Sequence, residues 1–214
     1  MLPVAPEGYP FILVPGLSAA LLFLFGYQLA AGLLLLVALA CLAFFRDPLR
    51  TSHAPPDAIL SPADGRVLSV APAPAAVAPL GLATQLSIFM SPADVHVNRA
   101  PISGTVREVR LVAGRKFPAF RDKASELNEH SFVVLEGEGV TVAYKQIAGA
   151  LARRVVCDLE PGQGVTRGQR VGIIKFGSRV DLFLPPSAHV LVAAGERTRA
   201  GLTVVARLAQ GGES

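Results

Sequence analysis

The hydrophobic positions of this chain follow two regimes. From Phe11 to Phe45 run 35 residues without one Asp, Glu, Lys or Arg. A single membrane span takes about 20 apolar residues, so the stretch is long for one upright helix and short for two. Gly26-Tyr27-Gln28 interrupts it, and the pattern predicts a tight helical hairpin, 11–25 and 29–45, that spans a membrane or inserts into it. Farther on, short alternating runs are parted by Gly or Pro, at 65–70, 84–89, 104–112, 131–135, 140–147, 170–175, 180–184 and 203–206. Runs of this period and length predict strands. The expected fold is mainly β, in the α+β class. A compact antiparallel sandwich or barrel-like domain follows the N-terminal hydrophobic helical hairpin, with the boundary between 1–50 and 51–214. Pro55 and Pro56 exclude helix from the linker at 51–57. The Ala/Pro tract at 71–79 reads as an exposed loop, and one helical turn is expected at 121–127.

Composition agrees with a membrane-associated protein. Hydrophobic residues make up 51% of the 214 and the mean hydropathy is +0.48, both high for a purely soluble chain. No Lys or Arg precedes Phe11, which argues against a secretory signal peptide. Arg46 and Arg50 follow the apolar stretch directly and place the next domain on the cytoplasmic face of the cell membrane. Two cysteines, Cys41 and Cys157, give no disulfide framework and suit a reducing compartment. The four histidines, at 53, 96, 130 and 189, lack paired ligand spacing, so no metal is expected. A net charge of +4 with dispersed basic residues and 7% aromatics points away from nucleic acid. An anionic lipid surface accounts for that charge better.

Candidate chemistry centres on Phe176-Gly177-Ser178-Arg179, inside a β-forming run near the C-terminus. A serine hydroxyl here can attack the preceding carbonyl, and glycine permits the backbone geometry that attack needs. Elimination from the resulting ester, then hydrolysis, would leave a pyruvoyl group, a ketone electrophile made from the chain itself. Most Gly-Ser pairs are turns; the surrounding motifs set this one apart. They are Phe45-Arg46-Asp47-Pro48, Ser61-Pro62-Ala63-Asp64-Gly65 and Met90-Ser91-Pro92-Ala93-Asp94-Val95-His96-Val97-Asn98-Arg99. Asp122-Lys123-Ala124-Ser125-Glu126-Leu127-Asn128-Glu129, Gln146-Ile147-Ala148-Gly149-Ala150-Leu151-Ala152-Arg153-Arg154 and Lys175-Phe176-Gly177-Ser178 complete the series.

Over nearly its whole length the chain resembles the short form of phosphatidylserine decarboxylase. The resemblance implies a self-cleaving proenzyme that converts phosphatidylserine to phosphatidylethanolamine and CO₂ through a Schiff base with a pyruvoyl cofactor. Cleavage between Gly177 and Ser178 would give residues 1–177 and 178–214, which stay together as a heterodimer; higher homo-oligomers are left open. His96 is the expected base, oriented by Asp64 in a Ser-His-Asp arrangement. Long forms of the family carry a second histidine three positions after the first, where this chain has Arg99. Arginine stays protonated and cannot act as a base, so either His96 serves both cleavage and turnover or another group supplies the base for cleavage. Arg99 and Lys123 are candidate contacts for the lipid phosphate. Asp94, Asn98, Glu126, Asn128 and Glu129 lie in the motifs without a derivable role.

One alternative comes from the residues themselves. The segments 100–106 and 164–172 resemble half-motifs of lipoyl-type and biotinyl-type domains, which with an anchor would suit a noncatalytic adaptor or carrier. No Lys sits on a hairpin tip to carry a prosthetic group, and no coiled-coil insertion parts the halves.

Overall fold

The computed structural model describes residues 4–114, 128–149, 154–175 and 178–209. The chain forms two compact units, Met1–Leu49 and Arg50–Ser214. In the first, α1 (Tyr9–Leu24) and α2 (Gln28–Phe44) flank the expected break at Gly26. Small residues, Ala19, Ala31 and Ala38, are buried in this unit, and Gly16 lies close to Ala38. Small side chains let the two helices approach each other. Apart from Phe44 and Phe45, which are buried, most of the large apolar side chains are exposed or half-buried: Leu24 and Leu29 are 80% and 81% exposed. Helical residues Pro6–Leu24 form one segment of 19 residues that is long and apolar enough to cross a membrane, while α2 is shorter.

The described part of the second unit is antiparallel β, and all eight predicted runs are strands. Its largest sheet has the order β13 (Arg197–Thr198), β2 (Gly65–Pro72), β3 (Thr84–Met90), β11 (Ser178–Leu184), β7 (Val140–Ala148), β6 (His130–Gly137), β5 (Gly104–Val112) and β9 (Gly164–Val165). Two three-stranded sheets accompany it. One has the order β4 (Val97–Arg99), β10 (Arg170–Ile174), β8 (Val155–Cys157); the other β1 (Ala58–Leu60), β14 (Val204–Leu208), β12 (Ala188–Val190). One face of the large sheet contributes Ile88, Met90, Tyr144, Val180 and Leu182 to a core shared with Ile59, Ile174 and Val205 of the smaller sheets. Phe132, Val134, Ala143 and Phe183 point to the other face and pack with Val77 and Leu82.

The tract at 71–79 departs from the expected open loop. β2 runs on to Pro72, and Ala75–Leu80 form a 3₁₀ helix that buries Val77. Pairing with β13 involves only Gly65 and Arg66, so the rest of β2 is an edge, where the N–H that proline lacks is not needed. The helical turn expected at 121–127 lies outside the described residues.

Central placement of β11 matters most for the site. It lies between β3 and β7, with all seven residues buried. Residues 178–183 therefore pair on both sides with strands that precede position 177. A chain cut there would keep its C-terminal piece in the sheet through two ladders of main-chain hydrogen bonds.

Candidate active site

Ser178 is the first residue of β11, fully buried, opposite Met90 on one side and Ala148 on the other. Its hydroxyl donates to the Met90 sulfur at 3.2 Å. A thioether is a weak acceptor and no base, so this contact fixes the hydroxyl's direction without activating it.

Past Met90 the chain turns through Ser91-Pro92-Ala93-Asp94. The Asp94 carboxylate holds this turn, accepting from the Ser91 main-chain N–H at 2.8 Å and its hydroxyl at 2.7 Å. The turn delivers His96, which is fully buried. Its Nδ1 lies 3.0 Å from the Asp94 carbonyl oxygen. A carbonyl can only accept, so Nδ1 carries the proton and Nε2 is the basic nitrogen of the neutral ring. The His96 carbonyl accepts from the Ile174 N–H at 3.3 Å. The main chain at His96 is thus tied to the strand that leads into the Gly177-Ser178 bond.

Asp64 has partners that sequence reasoning did not supply. Its carboxylate receives both Arg50 guanidinium nitrogens and the Ala200 main-chain N–H at 2.7 Å. Arg50 also donates to the Ala200 carbonyl at 2.8 Å. The structure therefore pairs Asp64 with Arg50. It reaches β4 indirectly: the Pro62 carbonyl, two residues earlier, accepts from the Arg99 N–H and from Asn98 Nδ2. Gly65 next to it sits at φ +153°, and a Cβ there would lie 2.1 Å from the Phe89 carbonyl oxygen. Only glycine fits this crossing. Both partners of the Arg50–Asp64 pair are largely buried, so removing one strands a buried charge. Arg50→Met should cost about 3–5 kcal/mol of stability, measurable by denaturant unfolding.

Asn98 is the centre of a buried polar chain on the inner face. Its Oδ1 accepts from Gln146 Nε2 at 2.8 Å, and Gln146 Oε1 accepts from the Ser131 hydroxyl at 2.7 Å. Its Nδ2 also faces the Met90 sulfur at 3.7 Å. The chain thus couples β4 to β7 and β6 beside Ser178. Asn98→Leu would leave the buried Gln146 amide short of an acceptor and should lower stability by about 1–3 kcal/mol, read as a fall in Tm. Asn128 donates to the Ala148 carbonyl at 2.6 Å, holding the strand residue opposite Ser178. Glu129 accepts from the Val155 N–H at 3.1 Å.

Arg99 is buried, with Nη1 donating to the Gly168 carbonyl at 3.1 Å and its stem against Gly201. Lys123, Glu126 and Gly177 lie outside the described residues. Burial lowers the His130 pKa, and the nearby Lys145 and Arg110 add to the shift, which favours the neutral ring. Burial also holds the Tyr144 hydroxyl and the Cys157 thiol in their protonated forms. Among the described residues no group of three or more metal-ligating side chains converges.

The contributions of Arg50, Met90 and Gln146 escape sequence reasoning. Met90 and Gln146 stand in matching motifs, but neither carries an ionisable or nucleophilic group to mark it. Arg50 is legible only as a flanking charge.

Comparison with known proteins identifies the family. A family model described as phosphatidylserine decarboxylase matches residues 37–206. The phosphatidylserine decarboxylase proenzyme of Magnetococcus marinus is 44% identical over 210 residues, covering 96% of this chain and 95% of that protein. The proenzyme of Solibacter usitatus is 44% identical over 204 residues, covering 95% and 96%. That of Geobacter sulfurreducens is 41% identical over 210 residues, covering 95% of each. With matches of this extent, the chain belongs to the phosphatidylserine decarboxylase family.

Proposed function

We propose that this decarboxylase removes CO₂ from phosphatidylserine, yielding phosphatidylethanolamine, through a pyruvoyl group formed from Ser178. The carrying observation is the placement of Ser178: a buried hydroxyl at the head of the central strand, aimed by Met90. Membership in the family sets aside the adaptor or carrier alternative.

Self-cleavage begins when Ser178 Oγ gives its proton to His96 Nε2 and bonds to the Gly177 carbonyl carbon. The C–N bond between the two residues breaks, leaving an ester and a free amine at position 178. Loss of the Cα proton then expels Gly177 as a carboxylate, and water replaces the amine as ammonia, leaving a ketone. The setting suits that group, since the Met90 sulfur gives a dry neighbour where a serine hydroxyl becomes a methyl. Once formed, the pyruvoyl carbonyl provides an electron sink for the pair left on the substrate's Cα.

The remaining steps fall to the chain's own residues. The Asp94 carbonyl keeps His96 in the Nδ1–H form, so Nε2 takes up a proton during cleavage and delivers one to the substrate's Cα during turnover. Asp64 acts as a positioning residue: pinned by Arg50, it fixes the loop whose Pro62 carbonyl supports β4. Arg99 ties β4 to the Gly168 turn, and no phosphate contact is proposed for it. Released CO₂ from labelled phosphatidylserine tests the reading. Hydroxylamine, which captures ketones, should abolish that release; full activity in its presence would overturn the pyruvoyl assignment.

The partner in bulk is the cell membrane, met on its cytoplasmic face through the hairpin, whose outward side chains are apolar. Deleting residues 1–45 should leave a domain that still cuts itself, since the site lies wholly in the second unit. Its activity on bilayer substrate should fall about 10–100-fold, because anchoring acts through effective concentration. Activity on a short-chain, dispersed substrate should change little. Equal losses on both would assign the hairpin to the catalytic core instead.

A further inference from the structure

Arg179 and Asp181 are charged, yet they lie on the central strand and are 5% and 0% exposed. Neither is used by the chemistry above. They point to the face of the large sheet opposite Ser178, since side chains alternate along a strand. Arg179 Nε donates to Asp181 Oδ1 at 2.6 Å, and its Nη2 donates to the Ser87 hydroxyl on β3 at 2.8 Å. Ser87 lies directly opposite Asp181 in the ladder. The guanidinium thus bridges the first side chains on this face of β11 to the neighbouring strand.

We propose that Arg179, Asp181 and Ser87 form a clamp that holds the pyruvoyl-bearing chain end in place after cleavage. This rests on the self-cleavage reading. In the uncut chain, position 178 is held from both sides by covalent continuity. Cutting removes that restraint and also takes the main-chain N–H from residue 178, since a pyruvoyl group has no nitrogen there. Chain ends fray unless tied down, and a reacting carbonyl displaced by about 1 Å loses much of its rate. Arg179 is the first residue of the new chain to retain an N–H, and its side chain is the first after the new end to tie β11 to β3. Arginine suits the task, because its planar fork serves two acceptors at once and stays charged when buried. These are positioning residues and do not touch the reacting atoms.

The test compares Ser87→Ala and Ser87→Thr in two full-length backgrounds: matured enzyme, and the uncut chain carrying Ser178→Ala. Ser87→Ala removes the cross-strand acceptor and leaves almost no cavity. Amide hydrogen exchange over residues 179–184 reports fraying. In matured enzyme, Ser87→Ala should speed exchange at this end roughly tenfold, as expected for a lost charged hydrogen bond, and lower kcat with KM nearly unchanged. The same change in the uncut chain should alter exchange far less. Ser87→Thr, which restores the hydroxyl, should bring both readouts back toward wild type. Equal acceleration in both backgrounds would mark an ordinary structural contact and overturn the clamp. No acceleration in matured enzyme would overturn it too. Wild-type chain that never cuts would instead overturn the self-cleavage reading beneath it.

Discussion

Purified wild-type protein should resolve under denaturing conditions into two chains, 1–177 and 178–214, whereas Ser178→Ala should remain one. The Ser178 hydroxyl is the only group at this position able to attack the preceding carbonyl, and alanine offers nothing in its place. The substitution is close to isosteric, so the sheet should fold unchanged: β11 keeps its pairing with β3 and β7, and the hydroxyl's contact to Met90 is lost. Decarboxylation should fall to background, because the electron sink never forms. Intact mass measurement decides the point. The small chain should be lighter than a serine-ended fragment by one ammonia and blocked to N-terminal sequencing. A single, uncut and fully active wild-type chain would end the proposal.

How much of this is legible in the sequence varies with the kind of signal. Long alternating runs such as 104–112 and 140–147 name their strands, because little besides a strand repeats with period two over eight or nine residues. β1, β4 and β8 are invisible, since three residues carry no period. Position 178 announces itself through Gly-Ser, but its place at the centre of an eight-stranded sheet depends on pairing across long sequence separations. The same holds for the polar chain from Asn98 to Ser131. Its members are uncharged, and their meaning appears only when the fold aligns three strands. Asp64 shows the opposite case. A carboxylate in a matching motif invites a direct role toward His96, while the partner it has, Arg50, reads in sequence only as a topology signal beside the hairpin. Charge near a membrane segment carries two meanings, and spacing alone gives one.

His96→Ala should reduce turnover of any matured enzyme by about 10²–10⁴-fold, the usual worth of a general acid–base group, and should slow maturation as well. Both effects follow from one nitrogen. With Nδ1–H committed to the Asp94 carbonyl, Nε2 is left to take the serine proton in one stage and to protonate Cα in the other. Arg99, at the position where long forms carry a second histidine, cannot share this work. Time courses from cell-free synthesis would give the cleavage rate, and CO₂ release by whatever fraction matures would give turnover. The role of Asp64 separates in the same assays. If it acts through the Arg50 pair and the Pro62 carbonyl, Arg50→Met should slow cleavage much as Asp64→Asn does, because each loosens the loop beneath β4. If Asp64 instead touches the imidazole during reaction, Asp64→Asn should slow cleavage while Arg50→Met leaves it near wild type. His96→Ala that cuts normally and loses only turnover would confine the histidine to decarboxylation and require another base near Ser178.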